Sequence, residues 1–600
     1  MIGQSSKGMA VLLLGLMSGV ASGCMGKPLA TQSDTQVSVW DKAQGTPEQE
    51  KASRTRPVVG LRGMVVADDR IAAEWGTEIL KRGGNAVDAA VATAFAMSVT
   101  RPHYASLGGG GFLMYCPAPK GSAPRECKIM DYRERAPKAA HRDMYLIDGK
   151  ARTDLSQDGA LAVATPGVPA GLLRSLELWG RRKRQELLAR PIELARNGFS
   201  VTGHTESAAV SRWKVFNPEA KRVLGCRSKG AEPCHAGDRL IQTDLAGVLS
   251  EISTHGRDGF YKGRVAEALV RGVRSGGGVL SQDDLAAYQP KERKPILARY
   301  RDAEVVLMPP PSAGGAVIAQ VLRYAELAEA GGELAKGLSS ARAIHAVAHG
   351  LSLAFADRAD VFGDPDFVKV PLDQLLSEDY LDGRWRSTFS RGAARIPEKS
   401  GFQREGENTT HFSVIDGEGN AVAVTTTVNE YYGSGFMPEG TGVILNNEMD
   451  DFSVQPGVPN LFGLVGAEAN AIAPLKRPLS SMSPTIVRDL QGNSRIVIGA
   501  QGGPRITTSV LLALLRRLQG GMSLPDAVQA PRFHHQWRPK TLQVERNGFG
   551  PETIEALESR DWEVVEIPGS GRIQALERFP QTHRVWGAPD PRTEGAAVAE

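Results

Sequence analysis

The most informative segment of the sequence is a predicted β-hairpin in the second half of the chain. Residues 408–415 read NTTHFSVI, residues 416–420 read DGEGN, and residues 421–427 read AVAVTTT. Two runs of β-branched and apolar residues thus flank a turn rich in Gly, Asp and Asn, which is typical of a hairpin. A polar, Gly- and Glu-rich run, residues 399–407, precedes the first strand. Taken alone, the pattern indicates structure only, because a Thr before a strand is usually there for its β-propensity.

Helical and strand-like segments alternate on both sides of this hairpin. Upstream, the pattern predicts a strand at 65–67, helices at 71–82, 85–99 and 341–361, and a strand at 112–115 that follows four glycines. Downstream, it predicts strands at 442–446 and 495–499 and a helix at 507–518. Such a mixture in both halves favours β-sheets layered with helices.

The composition is that of a large globular protein. Of the 600 residues, 41% are hydrophobic and 23% are charged, which is enough to form a substantial core and excludes collagen-like, disordered and disulfide-scaffold proteins. The 71 basic and 67 acidic side chains give a net charge of +4. This bias is too weak over such a length to indicate a nucleic acid partner.

The N-terminal segment predicts export. Lys7 precedes an apolar run at 9–20, which is shorter than the roughly 20 residues that span a bilayer, so residues 1–23 are expected to be a signal peptide. Ser22-Gly23-Cys24 resembles a bacterial lipobox, with Ala21 where Leu is usual, and we expect lipidation at Cys24. An ordinary signal peptide is the alternative.

The segment after Cys24 is expected to be a flexible tether. Residues 24–57 are polar and show almost no apolar periodicity. We therefore expect the protein at the periplasmic face of a bacterial membrane, held only by its lipid, or free in the periplasm or medium if it carries no lipid.

The other four cysteines form two local pairs, Cys116 with Cys127 and Cys226 with Cys234. In an exported protein this arrangement predicts two short disulfide loops. A four-cysteine metal site is the alternative, but neither pair has the spacing of a zinc knuckle.

Several motifs of other enzyme classes are incomplete. The glycines at 108–111 lack the Gly-Lys-Ser/Thr that completes a phosphate loop, and Ala346 stands where a metalloprotease helix needs Glu. Tyr104 stands where a nucleophile elbow needs its first Gly.

A series of segments in a fixed order carries a family resemblance; they lie at 83–90, 107–112, 131–134, 309–315, 364–367, 408–411, 445–452, 478–484, 502–503 and 530–535. The chain resembles the γ-glutamyltransferases (γ-glutamyltranspeptidases) of the N-terminal-nucleophile hydrolase superfamily over residues 60–600. The resemblance implies an α+β fold, an αββα four-layer sandwich made by two chains from one precursor. Residues 58–408 would form the large subunit and residues 409–600 the small subunit of a heterodimer.

The resemblance also implies the reaction. The precursor would cleave itself between Asn408 and Thr409, and Thr409 would then cleave γ-glutamyl compounds such as glutathione. The γ-glutamyl group would pass to water, an amino acid or a dipeptide. Thr427 would orient the new α-amine, and the backbone N–H groups of Gly502 and Gly503 would stabilise the oxyanion.

The donor would be held at its two charged groups. The family pattern implies that the α-carboxylate contacts Arg133, Ser480 and Ser481, and that the α-ammonium contacts Asn429, Glu448 and Asp451. A lid loop, 452–467, would cover the site, with Phe462 where some relatives have Tyr. No metal or organic cofactor is needed, because nucleophile, base and oxyanion hole are all protein groups.

Two other functions are alternatives to a γ-glutamyltransferase. A cephalosporin (glutaryl) acylase would share the fold and the nucleophile, but its acyl chain has no α-amine, so Arg133 and Asp451 in their family motifs favour a γ-glutamyl donor. A non-catalytic exported lipoprotein would not need Thr409 or the glycine pair. Whether hydrolysis or transfer dominates is left open by the sequence.

Overall fold

The computed structural model describes residues 38–40, 45–121, 123–226, 232–393 and 409–600. The expected lipidation site Cys24 and the expected cleavage-site residue Asn408 lie outside the described residues.

Two seven-stranded sheets form the centre of the structure. Sheet I has the strand order β1-β20-β19-β15-β14-β11-β10 and sheet II the order β21-β2-β12-β13-β3-β4-β9. The strands in chain order are β1 (Val58–Gly60), β2 (Met64–Ala67), β3 (Gly110–Cys116), β4 (Lys128–Asp131), β5 (Leu146–Ile147), β6 (Lys150–Ala151), β7 (Phe199–Ser200), β8 (Arg239–Leu240), β9 (Lys291–Arg293), β10 (Ile296–Tyr300), β11 (Ala303–Leu307), β12 (Thr409–Ile415), β13 (Ala421–Thr427), β14 (Thr485–Arg488), β15 (Ser494–Gln501), β16 (Phe533–His534), β17 (Thr541–Glu545), β18 (Glu563–Ile567), β19 (Arg572–Phe579), β20 (Arg584–Pro589) and β21 (Ala596–Ala599).

Helices cover the outer faces of both sheets. They are α1 (Pro47–Ala52), α2 (Arg70–Lys81), α3 (Ala86–Thr100), α4 (Asp154–Gln157), α5 (Val168–Trp179), α6 (Arg184–Asn197), α7 (Gly203–Arg212), α8 (Pro218–Leu224), α9 (Thr243–His255), α10 (Asp258–Tyr261), α11 (Gly263–Ser275), α12 (Gln282–Ala286), α13 (Gly314–Ala330), α14 (Ala341–Val361), α15 (Leu372–Leu375), α16 (Glu378–Thr388), α17 (Arg505–Leu518), α18 (Leu524–Gln529) and α19 (Pro551–Glu558). Helices α2, α3 and α5 pack on sheet II, and α13 and α17 pack on sheet I. The expected αββα four-layer sandwich is confirmed.

Strand β2 shows how one strand contributes to two cores. Met64 and Val66 belong to the core between the sheets, whereas Val65 belongs to the core under α2 and α3. Alternate side chains of a strand point to opposite faces, so a strand that is buried on both faces has no polar side. This explains why β2 appears in the sequence as a continuous apolar run.

The predicted hairpin is present and central. Strands β12 and β13 pair antiparallel with Thr409 opposite Thr427, and they lie between β2 and β3 in sheet II. The turn is closed by Asp416, whose carboxylate accepts hydrogen bonds from the backbone N–H groups of Glu418 and Asn420. All residues of both strands are buried.

Odd-numbered residues of β12 face sheet I. The ring of His411 lies against Gly499 of β15, and the Ser413 hydroxyl donates to the carbonyl of Gln574 in β19. Since side chains two residues apart share a face, Thr409 also points into the space between the sheets, at the end of the hairpin. The sandwich therefore places this side chain next to the residues that follow β15.

The predicted helices near the N-terminus are confirmed within one or two residues. Helix α3 begins after Asn85, whose side chain accepts from the N–H groups of Val87 and Asp88, while the Asp88 carboxylate accepts from the Asn85 N–H. This reciprocal capping satisfies N–H groups that a buried helix start would otherwise leave unpaired. Every residue of α3 is buried, as its apolar composition predicts.

Both predicted disulfides are present. The Cα atoms of Cys116 and Cys127 are 4.2 Å apart, and those of Cys226 and Cys234 are 4.7 Å apart. The first bond joins the end of β3 to the residue before β4, so it closes the connection between two paired strands.

Two predictions about local structure are wrong. Residues 442–446 form no strand; Leu445 makes only an isolated bridge with Gly108, because the backbone there turns to present Asn446 and Asn447 to neighbouring loops. The expected tether is also not flexible throughout, because its second part packs against the folded body. Trp40 is buried beneath the guanidinium of Arg495, and the backbone N–H of Thr55 donates to Asp526 of α18 over 2.7 Å.

None of the helices in the described part of the chain combines the length and the hydropathy that a membrane span requires.

Candidate active site

Thr409 lies at the start of β12, almost completely buried. Its hydroxyl is 3.3 Å from the hydroxyl of Thr427, the residue paired with it in β13. The Thr427 hydroxyl also accepts from the N–H of Asn429 over 2.9 Å. The β-ladder therefore fixes the spacing of the two threonines, and both were expected at the site.

Gly502 and Gly503 follow β15 and have positive φ angles of 128° and 54°. A Cβ atom on Gly503 would lie 2.7 Å from the ring of Phe462, and one on Gly502 would lie 3.0 Å from the Cα of Gly571. Both the conformation and the space therefore require glycine. Gly503 lines the cleft next to Thr409, whereas Gly502 is not among the lining residues.

Gln501, the residue before this glycine pair, contacts the nucleophile strand. When its side-chain amide is oriented so that both groups are paired, the nitrogen donates to the Thr409 carbonyl over 2.5 Å and the oxygen accepts from Arg572 over 3.2 Å. Sequence reasoning missed Gln501, because only its position at the end of β15 brings it to Thr409.

Arg133 is buried at the base of the cleft. Its guanidinium forms ion pairs with Glu448 and with Asp451, the latter at 2.5 Å, and it donates to the carbonyl oxygens of Pro478 and Leu479. Burial alone would lower the pKa of Arg133, but the neighbouring carboxylates raise it overall. The arginine is charged and held with its planar face fixed, as recognition of a carboxylate requires.

Ser480 and Ser481 line the same cleft. The Ser480 hydroxyl accepts from the N–H of Met482 over 3.1 Å, so its own proton is available to another acceptor. The Ser481 hydroxyl is buried and has no hydrogen-bond partner among the described residues. A buried polar group without a partner is costly, and this one adjoins the Arg133 site.

Asn429 and Asp451 complete the group of residues that were expected to surround an ammonium. Asn429 has a positive φ angle of 74° and donates to the carbonyl of Asn447 over 3.1 Å. One Asp451 oxygen accepts from Arg133 and the other from the side chain of Asn460 over 3.0 Å. Asp451 therefore joins the base of the cleft to the loop that covers it.

That covering loop is residues 452–467. Phe462 lies against Gly503, and the N–H of Leu461 donates to Asp450 over 2.8 Å. The remaining cavity has a volume of about 20 Å³, room for about one water molecule. This volume is too small for a ligand of amino acid size, which therefore requires both the loop and the Arg133 ion pairs to move.

Two carboxyl groups near Arg133 have strongly perturbed acidity. Burial raises the pKa of Glu134 to about 7 against the opposing effect of Arg133, and burial also raises the pKa of Glu448 well above its usual value. Glu134 lies 3.7 Å from the Arg133 guanidinium. One cation therefore faces more carboxyl groups than it can neutralise, and the surplus favours protonated forms.

The pH dependence of stability follows from the Glu134 pKa. A carboxyl whose folded pKa is raised stabilises the fold below its unfolded pKa, near 4.5, and this contribution is lost as pH rises through about 7. Glu134→Gln, which cannot ionise, should therefore gain thermal stability relative to wild type at pH 8 but not at pH 5. The difference is at most about 3 kcal/mol. Melting temperatures at the two pH values measure it.

A surface glutamate provides the control for this experiment. Glu126→Gln makes the same chemical change at an exposed position that pairs with Lys128, and it should show no comparable gain at pH 8. Equal responses of the two variants to pH would contradict the assignment to Glu134.

Arg358 is the second cleft residue that sequence reasoning missed. It lies near the end of α14 and lines the cleft with Thr409 and Arg133. The only signal in the sequence is a charged pair, Asp357-Arg358, that follows the apolar run 353–356 in the helix.

Among the described residues, no group of three or more His, Cys, Asp and Glu side chains is arranged so that it could hold a metal ion. The four described cysteines are paired as disulfides.

Two curated proteins resemble the chain over nearly all of its length. The glutathione hydrolase proenzyme of Pseudomonas sp. (strain A14) is 40% identical over 90% of this chain and 94% of that protein. The glutathione hydrolase proenzyme of Escherichia coli (strain K12) is also 40% identical, over 90% of this chain and 91% of its own length.

A solved structure agrees with the fold. The cephalosporin acylase from Bacillus halodurans superposes with a TM-score of 0.79 at 25% identity, covering 91% of this chain and 97% of that one. The family model described as Gamma-glutamyltranspeptidase matches residues 72–600, which include every residue of the cleft. The chain belongs to the γ-glutamyltranspeptidase family.

Proposed function

We propose that the protein is a self-processing γ-glutamyltransferase that hydrolyses glutathione. The observation that carries the proposal is the closed cleft in which Thr409 lies with Arg133, Asp451, the two serines and Gly503. The name proenzyme of the two curated relatives supports processing of a precursor.

Processing would begin with attack of the Thr409 hydroxyl on the carbonyl of Asn408. The peptide bond becomes an ester, which water opens to give a large chain that ends at Asn408 and a small chain that begins at Thr409. The chains would stay together, because β12 and β13 of the small chain pair with β2 and β3 of the large one. Before cleavage the backbone nitrogen of Thr409 is an amide, which is not basic. Cleavage frees it as an α-amine, which can act as the base.

The new α-amine would act on the adjacent hydroxyl. Its reference pKa is near 8, so a neutral fraction is available to accept the hydroxyl proton, and one residue is both nucleophile and base. Thr427, whose hydroxyl is 3.3 Å from that of Thr409, is placed to orient this amine. The N–H groups of Gly502 and Gly503 would stabilise the oxyanion, an effect typically worth several kcal/mol.

The donor would bind by replacing ion pairs between residues of the cleft. Arg133 forms ion pairs with Glu448 and Asp451. A γ-glutamyl group carries an ammonium and a carboxylate on one carbon, so it can insert between these partners. Its carboxylate then pairs with Arg133, Ser480 and Ser481, and its ammonium pairs with Asp451, Glu448 and Asn429. Every buried charge keeps an opposite neighbour.

The glutaryl acylase alternative differs at this step. A glutaryl group has a carboxylate but no ammonium, so Asp451 and Glu448 would lose Arg133 without gaining a cation. Unpaired buried charges are costly, and we therefore favour the γ-glutamyl donor.

The rate of release of nitroaniline from γ-glutamyl-p-nitroanilide tests the proposal. We expect turnover by the wild type, a higher rate with glycylglycine if transfer competes with water, and no turnover of glutaryl-p-nitroanilide. Turnover of the glutaryl compound alone would contradict the γ-glutamyl assignment.

We also propose that the protein is exported and carries a lipid on Cys24. The support is Lys7, the apolar run at 9–20 and Ser22-Gly23-Cys24. Met25 follows the cysteine, and the absence of Asp at that position favours the outer membrane of a Gram-negative cell.

Cys24→Ala should release the protein from membranes, because the lipid is its only proposed anchor. The measurement is the share of protein in the membrane fraction, together with the mass of the first residue. Soluble wild type without lipid on that residue would leave plain secretion by a signal peptide, 1–23.

A further inference from the structure

The cleft contains a second arginine, Arg358. Unlike Arg133, it has no hydrogen-bond or ion-pair partner among the described residues. Arg358 is 5% exposed, and it forms no hydrogen bond or ion pair with any of the described residues. Its neighbour in the helix shows the contrast: the Asp357 carboxylate accepts from Gln320, Tyr380 and Arg384. Buried charges in proteins are normally paired, so this guanidinium on the wall of a binding cleft is suited to pair with an anionic group of a ligand.

The nearest acidic group is already occupied. Asp451 is the carboxylate that interacts with Arg358 electrostatically, but its two oxygens accept from Arg133 and from Asn460. Burial lowers the pKa of Arg358 to about 10, so the group is still charged at neutral pH. The cleft therefore has a positive charge beyond the one that Arg133 provides.

Arg358 also lies at the lid. The carbonyl of Ala359 accepts from the N–H of Ala467 over 3.0 Å, so the end of the covering loop is fastened to the residue next to Arg358. Leu464 of this loop lines the cleft with Arg358. A ligand group that meets this guanidinium would lie under the lid, in the space that opens when the loop moves.

We propose that Arg358 is a second carboxylate-binding residue. It holds the carboxylate of the leaving group and, in transfer, the carboxylate of the acceptor that takes the γ-glutamyl group. This inference rests on the proposed function, in which Arg133 takes the α-carboxylate of the donor. Glutathione carries a second carboxylate on its glycyl end, and an acceptor amino acid or dipeptide carries one too. An acceptor enters the place that the leaving group has vacated, so one cation serves both steps.

The test compares two donors that differ only in this carboxylate, glutathione and its glycyl amide. For the wild type we expect kcat/KM to be about 10- to 100-fold higher for glutathione, the range of a charge-assisted hydrogen bond of about 1.5–3 kcal/mol. In Arg358→Gln the ratio of kcat/KM for glutathione to kcat/KM for its glycyl amide should fall to near 1. Arg358→Lys should keep part of this preference. Glycylglycine and glycylglycine amide as acceptors should show the same pattern.

Arg384→Gln is the matched control. It removes an arginine that pairs with Asp357 beside the cleft wall, without changing a residue that lines the cleft, and the wild-type ratio should persist. A ratio near 1 in the wild type, or an unchanged ratio in Arg358→Gln, would overturn the inference. The wild-type ratio is informative even if the variant does not fold.

γ-Glutamyl-p-nitroanilide separates this result from the proposed function. It has no leaving-group carboxylate, so turnover by the wild type supports the γ-glutamyl reaction whatever the ratio is. Absence of turnover with every donor contradicts the proposed function itself.

Discussion

Thr409→Ala should yield a single uncut chain without γ-glutamyl activity. Both cleavage and turnover need the same hydroxyl, and alanine keeps the strand position of the residue in β12 without it. Removal of a hydrolase nucleophile typically costs on the order of a millionfold in kcat. Gel electrophoresis reports the cleavage, and the anilide assay reports the activity.

Two further variants sharpen this prediction. Thr409→Ser should still cut and turn over, more slowly, because a primary hydroxyl keeps the chemistry but lacks the methyl group that restricts its rotamer. Thr410→Ala is the matched control, since the adjacent hydroxyl is buried and has no hydrogen-bond partner among the described residues. This variant should cut normally. Two chains and glutathione turnover from Thr409→Ala would contradict the assignment.

Arg133→Lys should separate processing from donor binding. The precursor should still cut itself, because the arginine is proposed to act only on the donor carboxylate. Turnover should fall, because a lysine cannot make the bidentate contact with the donor carboxylate. Arg133→Ala should lose more of the turnover than Arg133→Lys. Breaking a buried pair costs about 3–5 kcal/mol, which corresponds to a loss of roughly 10²- to 5 × 10³-fold in kcat/KM.

A donor without its α-carboxylate shows whether the loss is specific. The 4-aminobutanoyl anilide keeps the amine and lacks the carboxylate, so wild type should strongly prefer the γ-glutamyl compound and Arg133→Ala should not. Arg174→Lys, an exposed change in α5, is the control. An Arg133→Ala variant that kept the wild-type preference would show that the carboxylate is bound elsewhere.

The hairpin and the first helices could be predicted because their signals are local. The turn 416–420 and the capping residue Asn85 each act on neighbours within four residues, and such patterns are legible in one sequence. The strand predicted at 442–446 failed for the opposite reason. Its apolar residues Val443, Ile444 and Leu445 join the core under the helices of sheet II without pairing in a strand ladder, and only the tertiary structure decides between the two.

The candidate site could be predicted only through family resemblance. Nothing local distinguishes Thr409 from other threonines that begin strands, and Arg133, Asp451 and Ser481 come from three distant segments. Arg358 was missed because a charged residue in a long helix is usually solvated, and its burial depends on the packing of α14 against the lid. The closure of the cleft by Arg133 with Glu448 and Asp451 was also not foreseen, since the same residues were assigned to a ligand.

The most direct test of the account is the mass and the N-terminal residue of each chain in an active wild-type preparation. We expect two associated chains, the smaller of which begins with a free Thr409. An active preparation that contains one continuous chain, or a smaller chain that begins at another residue, would contradict it.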